Sequence, residues 1–283
     1  MDAFQRIRAL DAISDELEKW VAYNPLFYNS IPAFDEAFDR GVQLNLAYYV
    51  ERYDNQGRAF EIILNNNLFS AHRNPTGKVY NLSGPVGSGK TSVCRYLVEK
   101  YFPEKNPTTL GIMIDVWPSE EKDDVNFKEL TNSLKEALYH ALTRYGVIRT
   151  YAEFYTTILK QLGFETHSVD KILRIGEQID LFMILEFLSS YEKFNRILII
   201  IDNIDETNRD TIENCKSFAL KIAKSARAKP SKAFSILLPV REYTRTVFFS
   251  QAHFAHYDLP PLQEHKVIAK KLEQKYRYYK RKL

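Results

Sequence analysis

The sequence predicts an α/β fold in which helices cover both faces of a parallel sheet, giving three layers. Two observations carry this prediction. Short apolar segments typical of buried strands alternate with amphipathic segments along most of the chain. In addition, a glycine-rich stretch lies between the first strand and a helix, and a run of acidic residues follows the third strand. Loops of these two kinds meet at the carboxyl edge of a parallel sheet, where ligands bind.

Composition is that of an ordinary globular chain. The 283 residues are 45% hydrophobic and 27% charged, and the net charge of +3 does not by itself predict nucleic-acid binding. The two cysteines, Cys94 and Cys215, form no metal spacing or disulfide framework, so a reducing, cytoplasmic setting is expected. No signal-peptide pattern opens the chain, and no apolar run approaches the roughly 20 residues of a membrane span. No membrane association is therefore expected.

Residues 1–74 are predicted to form a helical N-terminal extension. Apolar residues recur there at spacings of three and four, namely Phe4, Ile7, Leu10, Ile13 and Leu17. Pro25 and Pro32 interrupt this pattern. A second helical stretch, residues 57–74, must stop before Pro75.

Residues 75–262 are predicted to form the α/β core. The predicted strands cover residues 78–83, 110–117, 196–202 and 233–240, with a short fifth strand before Pro260. Helices are predicted after residue 84 through 101, from 127 to about 146, within 151–190, and over 209–227. Residues 263–283 are predicted to begin a helical lid, which the end of this sequence would truncate.

The stretch GPVGSGKT, residues 84–91, satisfies the phosphate-loop pattern GxxxxGK[ST] between a strand and a helix. Glycines permit the backbone N–H groups to approach phosphate oxygens, Lys90 would reach the β- and γ-phosphates, and the Thr91 hydroxyl would ligate Mg²⁺. The predicted nucleotide contacts are Gly84, Val86, Gly87, Ser88, Gly89, Lys90, Thr91 and Ser92. The alternative is a glycine-rich turn with an incidental lysine.

The strand RILIIID ends in Asp202 and continues as Asn203-Ile-Asp205-Glu206. Asp202 is predicted to hold Mg²⁺ through its water shell, or alternatively to cap the helix that starts near Thr207. Many ATPases place a glutamate at the position of Asn203, and an amide cannot accept a proton from water. Asp205 and Glu206 are therefore the predicted candidates for a general base, with helix capping as the alternative for each.

Arg241 follows the strand AFSILLPV, which should lie beside the phosphate-loop strand. Its guanidinium is predicted to contact the γ-phosphate, with Arg245 as a second choice. The alternative for Arg241 is an ion pair with Glu242 or with the acids at 205 and 206.

These motifs resemble the AAA+ and STAND (NACHT-like) division of P-loop NTPases over roughly residues 50–265. GPVGSGKTS resembles the AAA+ phosphate loop, IIIDNIDE the STAND acid strand, and LLPVRE the STAND sensor strand. The resemblance implies a strand inserted between the phosphate-loop and acid-ended strands, ATP with Mg²⁺, slow hydrolysis and nucleotide-dependent oligomerisation. It also implies adenine contacts before the loop, at Gly57 and Arg58.

The function expected from this resemblance is an ATP-dependent switch or assembly ATPase with a protein partner. Because prokaryotic STAND proteins often serve in antiviral defence, the resemblance also implies such a role. A DNA-handling AAA+ protein is the first alternative, because Lys and Arg alternate with Tyr in residues 270–283, although a solvated lid helix explains the same pattern. A small-molecule kinase is the second, but no arginine-rich lid is evident. The missing NKxD and LSGGQ motifs disfavour a GTPase and an ABC-type ATPase.

Overall fold

The computed structural model describes residues 60–69, 78–85, 88–116, 125–164, 169–228, 232–250 and 254–259. The chain divides into two units, residues 51–261 and residues 1–50 with 262–283, and every described residue belongs to the first. The predicted N-terminal apolar stripe, the predicted lid helix and the basic residues 270–283 lie outside the described residues.

One parallel sheet organises the described part of the chain. Its five strands are β1 (Lys78–Ser83), β2 (Thr109–Asp115), β3 (Arg196–Asp202), β4 (Ala233–Val240) and β5 (Phe254–Asp258). They are arranged in the order β2-β3-β4-β1-β5, with every neighbouring pair parallel. The predicted α/β fold is confirmed, and so is the insertion of β4 between the phosphate-loop strand and the acid-ended strand.

Burial on both faces explains why β3 is a continuous apolar run. Residues 197–201 of β3 are each at most 1% exposed. In an antiparallel sheet with one wet face, alternate residues would be polar; here helices cover both sides and no alternation is needed. The register aligns Asp115 at the end of β2 with Asp202 at the end of β3, which brings two strand-ending acids side by side.

Nine helices accompany the sheet in the described residues. They are α1 (Phe60–Leu68), α2 (Lys90–Tyr96), α3 (Phe102–Lys105), α4 (Phe127–Arg144), α5 (Tyr151–Gln161), α6 (Val169–Glu177), α7 (Leu181–Ser190), α8 (Arg209–Ala228) and α9 (Glu242–Phe248). A π-helical turn, Leu97–Tyr101, joins α2 to α3, and a 3₁₀ turn, Ile204–Glu206, follows β3.

Local sequence explains where several helices begin. Asn126 and Glu129 form a reciprocal capping box at the start of α4. Thr150 caps α5 and Asp180 caps α7 by accepting a backbone N–H with the side chain. These caps divide the predicted helical stretch 151–190 into separate helices.

Helix α1 is shorter than the predicted helix over 57–74, because it ends at Leu68. The Ser235 hydroxyl on β4 donates to the Leu68 carbonyl at 2.5 Å, and the Phe69 ring meets Phe102 edge-on at 6.3 Å. Three consecutive asparagines, residues 65–67, also have low helix propensity. The end of α1 is thus tied to the sheet by tertiary contacts. Across the described ranges, no helix combines the length and the apolar character that crossing a membrane demands.

Candidate functional site

The phosphate-loop motif connects β1 to α2, as its pattern predicts. Gly89 adopts the left-handed conformation, with φ of 81°, directly before Lys90 begins α2. A Cβ at Gly84 would approach the Ser88 hydroxyl oxygen to 2.9 Å, so the start of the loop is too tight for a side chain without a shift. Glycine at position 89 therefore has a conformational reason, and glycine at position 84 has a steric one. The loop residues Val86 and Gly87 lie outside the described residues.

The Lys90 side chain folds back across this loop. Its ammonium donates to the carbonyl of Gly84 at 2.8 Å and to the carbonyl of Pro85 at 3.1 Å. Burial lowers the pKa of Lys90, and the nearby Asp205 carboxylate opposes that shift. The ammonium is thus held at the mouth of the loop by weak carbonyl partners, which a phosphate anion would replace with a stronger charge-assisted contact.

Asp202 and Thr91 meet at the end of β3, and the Thr91 hydroxyl donates to the Asp202 carboxylate. Asp202 is only 2% exposed, and burial raises its pKa, against which the hydrogen bonds from Thr91 and the Asn203 backbone act. Its Oδ2 atom is buried without a hydrogen-bond partner. An unpartnered buried carboxylate oxygen costs free energy unless a ligand satisfies it.

This oxygen pair fits Mg²⁺. The ion prefers hard oxygen ligands and usually binds through one or two protein groups plus substrate phosphates and water. In the part of the chain that the structure describes, no group of three or more His, Cys, Asp and Glu residues could hold a metal ion by itself. A carboxylate and a hydroxyl beside a phosphate loop are the smaller donor set that this mode of binding needs.

Asn203 has an unusual backbone. Among the described residues it is the one non-glycine residue with a positive φ, 63°. Its side-chain amide nitrogen donates to Asp115 Oδ1 at 2.5 Å. Asp115 also forms an ion pair with Arg95 at 3.5 Å. The residue that departs from the expected glutamate is thus bound to a carboxylate on the neighbouring strand.

Asp205 connects the 3₁₀ turn to the start of α9. Its Oδ2 accepts the backbone N–H of Arg241 at 2.7 Å, and its carboxylate also accepts from the Thr244 hydroxyl. Burial raises the pKa of Asp205, while those two hydrogen bonds and the Lys90 ammonium lower it. The Oδ1 atom is buried without a hydrogen-bond partner. Asp205 therefore supports α9 with one oxygen and leaves the other unsatisfied.

The two predicted arginines occupy different places. Arg241 forms an ion pair with Glu206, one of the alternatives that the sequence allowed, and Lys90 lies close enough for their charges to interact. Arg245 instead donates to the Ser83 hydroxyl at 3.0 Å and to Asp258 at 2.8 Å, at the ends of β1 and β5. Arg241 thus lies on the acid side of the loop and Arg245 on the other side.

The structure brings most of the predicted site residues to one edge of the sheet. Lys90 interacts electrostatically with Asp202, Asp205 and Arg241. Ser92 lies in the first turn of α2. Gly57 and Arg58, the predicted adenine contacts, lie outside the described residues.

Sequence reasoning missed Asp115, Arg95 and Thr244. Asp115 carried a usable signal, because LGIMID is an apolar strand ending in an acid just as LIIID is. Arg95 and Thr244 carried none, since a polar residue on a helix has no periodic signature of its own. Only the β2–β3 register and the fold of the loop after β3 place them near the site.

Comparison with known proteins identifies the family of this chain. A family model described as an AAA domain matches residues 74–248, more than half of the chain. No curated protein matches the sequence. Among solved structures, the chain is similar to the Aeropyrum pernix ORC2 protein in its ADPNP–ADP complexes, with 13% identity, a TM-score of 0.40, and coverage of 81% of this chain and 54% of that one.

A second similar structure is Cdc6p from Pyrobaculum aerophilum, with 13% identity and a TM-score of 0.35. That match covers 75% of this chain and 47% of the other. The chain thus spans about half of the length of each of these two proteins.

Proposed function

Because the chain belongs to the AAA domain family of P-loop ATPases, whose cofactors are ATP and Mg²⁺, we propose that it acts as a slow ATP-dependent molecular switch. One observation carries the proposal. Lys90, Thr91 and Asp202 converge at one edge of the sheet, where the buried Asp202 Oδ2 has no hydrogen-bond partner. A loop shaped for phosphates beside an unsatisfied carboxylate supports a site for a magnesium–nucleotide complex.

Each residue of this edge has one task in the proposal. Lys90 exchanges its two carbonyl partners for the β- and γ-phosphates. The Thr91 hydroxyl and the Asp202 carboxylate would hold Mg²⁺, Thr91 directly and Asp202 through bound water at its otherwise unsatisfied oxygen. The ion would supply positive charge that offsets the charge of the phosphates.

Asp205 is the proposed general base, with Glu206 as the second candidate. The unpartnered Oδ1 of Asp205 is buried, and desolvation raises the pKa of this carboxyl, which makes its anion a better proton acceptor. The same carboxylate also holds the N-terminus of α9 through Arg241 and Thr244. A base that is already committed to structural hydrogen bonds, together with an amide at position 203, supports slow turnover.

Arg241 is the proposed sensor of the γ-phosphate. Its ion pair with Glu206 is partly exposed, with side-chain exposures of 36% and 49%, so the pair is weakly held and open to exchange. A γ-phosphate would compete with Glu206 for the guanidinium. The loop after β3 would then be free to move when ATP binds, which is how the site would report its nucleotide state.

Substitution of Lys90 tests the site. Lys90→Ala should abolish binding of Mg-ATP in calorimetry, because the charge that holds the β- and γ-phosphates is removed. Lys105→Ala is the matched control, since this exposed lysine lies at the end of α3 in the same helical segment and should bind as the wild type does. Binding retained by Lys90→Ala would contradict the site assignment.

The proposal extends to the STAND division and, with it, to prokaryotic antiviral defence. The motifs IIIDNIDE and LLPVRE support this extension, since they resemble the acid and sensor strands of that division. Cells that express the whole protein should then resist phage better than cells that express Lys90→Ala. Equal plaque counts on the two would contradict the defence role.

The second candidate is a DNA-handling ATPase, and the observation that favours it is the basic, tyrosine-containing segment 270–283. This candidate predicts retention on duplex or single-stranded DNA that weakens steeply as salt is raised. Absence of any shift at low salt would count against it.

A further inference from the structure

Asn203 stands where many ATPases have a glutamate, and a carboxylate from the neighbouring strand β2 lies next to it. Asp115 ends β2 and is aligned with Asp202, one residue before Asn203. Its Oδ1 lies 2.5 Å from the amide nitrogen of Asn203. The Asp115 side chain is 34% exposed, so solvent reaches this corner of the site. A carboxyl group therefore lies beside the amide, although residue 203 itself carries none.

Two features of the structure explain why position 203 is an asparagine. Its left-handed backbone favours asparagine over any other residue except glycine, and a long side chain such as glutamate would be strained there. In addition, a carboxylate at 203 would lie against Asp115, the residue that its amide contacts. Two carboxylates in contact repel each other, and each disfavours the charged form of the other. An amide that donates to Asp115 avoids that repulsion.

The acceptor chemistry of Asp115 also determines which way the amide faces. An ionised carboxylate only accepts hydrogen bonds, so the amide nitrogen of Asn203 must be the group turned toward β2. The carbonyl oxygen of Asn203 is then the group available to a water molecule. Without an acceptor at Asp115, either end of the amide could face the nucleotide.

We propose that Asp115 is a positioning residue for ATP hydrolysis, which acts by orienting the Asn203 carboxamide so that its oxygen holds the attacking water. The water oxygen bonds to the γ-phosphorus, the bond from phosphorus to the bridging oxygen breaks, and ADP leaves with that electron pair. The water proton passes to the Asp205 carboxylate. The inference rests on the proposed ATPase function and adds to it the group that aligns the nucleophile.

Arg95 ties this pair to the phosphate loop. It lies on α2 four residues after Thr91, a spacing that puts both on one face of the helix, and it pairs with Asp115 at 3.5 Å. Its charge also acts on Asp202. Asp115 is thus held between the helix that follows the phosphate loop and the amide that faces the water.

Asp115→Ala is the first test. It should lower kcat for ATP hydrolysis by about 10–100-fold, as loss of an outer-shell partner does, while KM and the affinity for a Mg-bound non-hydrolysable ATP analogue stay within about twofold. Without nucleotide, the side-chain amide protons of Asn203 should exchange slowly with solvent in the wild type and quickly in Asp115→Ala, as measured by NMR. Glu192→Ala, an exposed carboxylate at the opposite end of β3, is the control and should change neither quantity.

Exchanging the two side chains gives a sharper test. Asn203→Asp alone should lower kcat, because it places two carboxylates in contact. Adding Asp115→Asn to it restores a carboxylate–amide hydrogen bond with the donor reversed, and leaves a carboxylate oxygen at 203 for the water. The double variant should therefore be at least tenfold faster than Asn203→Asp, a non-additive result expected only for groups in contact.

The possible outcomes separate this inference from the proposed function. Unchanged kcat and unchanged amide exchange in Asp115→Ala, with a wild type that hydrolyses ATP, would overturn the inference alone. Equal loss of kcat and of analogue affinity together with a lower Tm would show a merely structural role and also overturn it. A wild type that binds the analogue without hydrolysing ATP would overturn both the inference and the ATPase activity, and a wild type that binds nothing would overturn the nucleotide site itself.

Discussion

Two aspartates at the carboxyl edge of the sheet, Asp202 and Asp205, are placed where they favour ligand binding at the expense of the stability of the nucleotide-free protein. Asp202 and Asp205 are both buried, burial raises the pKa of both, and each has one carboxylate oxygen without a hydrogen-bond partner. Burying such groups costs free energy in the nucleotide-free protein. Residues that are costly in the free protein and satisfied by a ligand are typical of binding sites.

The raised pKa of Asp202 predicts a pH dependence for Mg-ATP binding. Mg²⁺ binds the ionised carboxylate, so protons compete with it. Affinity should be constant above the raised pKa and should fall by up to about tenfold per pH unit below it. The decline should therefore begin at a higher pH than an aspartate with an ordinary pKa would give. Calorimetric titrations with Mg-ATP across the acidic range measure this, and a decline that persists unchanged in Asp202→Asn would contradict the assignment.

The same shift predicts the opposite trend for the stability of the nucleotide-free protein. A raised folded-state pKa means that the folded protein binds a proton more readily than the unfolded chain. The contribution of Asp202 to the free energy of unfolding is therefore most favourable at low pH and is lost as the pH rises through its folded-state pKa. Asp202→Asn should raise the Tm at neutral pH while it weakens Mg-ATP binding.

At the scale of elements, the 3₁₀ turn after β3 and the helix α9 after β4 form one unit. The Asp205 carboxylate accepts from the backbone N–H of Arg241, just before α9, and from the Thr244 hydroxyl in the first turn of α9. Glu206 pairs with Arg241. Arg241 is the N-cap residue of α9 and has no side-chain cap of its own. A carboxylate from the loop after β3 thus fixes the residue from which α9 starts, through a contact between residues that are distant in sequence.

Substitutions of Asp205 separate this structural contact from catalysis. Asp205→Asn keeps an oxygen acceptor for α9, so Mg-ATP affinity should change little while ATP turnover is lost. Because burial raises the folded-state pKa of Asp205, as it does that of Asp202, the Tm of this variant at neutral pH should rise rather than fall. Asp205→Ala removes the acceptor as well, and should in addition lower the free energy of unfolding by about 1–3 kcal/mol. Turnover and chemical denaturation measured on both variants check this.

Two results would contradict the roles assigned to Asp205. If Asp205→Asn hydrolyses ATP at the wild-type rate and Glu206→Gln does not, the base is Glu206. If Asp205→Ala is as stable as the wild type, the contact to α9 contributes nothing measurable.

At the scale of the whole molecule, the strand order assembles the site from distant parts of the sequence. β4 lies between β1 and β3, so the phosphate loop, the loop after β3 and the start of α9 open onto the same edge. A nucleotide bound there would contact segments from three strands at once. Its γ-phosphate would bias the positions of the loops relative to one another, which is the physical basis of a switch.

A change of assembly with nucleotide is the prediction at this scale. Light scattering should give a larger mass for the whole protein with Mg-ATP analogue than without it, and Lys90→Ala should keep the smaller mass under both conditions. The difference arises because only the liganded state presents the subunit-binding arrangement of loops. An unchanged mass in the wild type, with analogue bound, would contradict the assembling switch and favour a monomeric enzyme.

The sequence predicted those features of the fold and the site that depend on residues close together in the chain. Local patterns predicted the phosphate loop, the strand ending at Asp202 and the bounds of β1, β3 and β4, because a strand of buried residues and a glycine-rich turn are written in consecutive positions. The parallel sheet followed from the alternation of those patterns. The prediction that β4 lies between β1 and β3 came from resemblance to the division, and the structure confirms it.

Only the tertiary structure decided what surrounds Asn203. Its amide contacts Asp115, which is 88 positions away in the chain, and that contact exists because β2 and β3 pair in one particular register. The same is true of Asp205, whose partners at the start of α9 lie far along the sequence. The position of the acidic residues directly after β3 was enough to place them at the site. Their hydrogen-bond partners could not be predicted, because hydrogen bonds between distant residues leave no periodic pattern in a sequence.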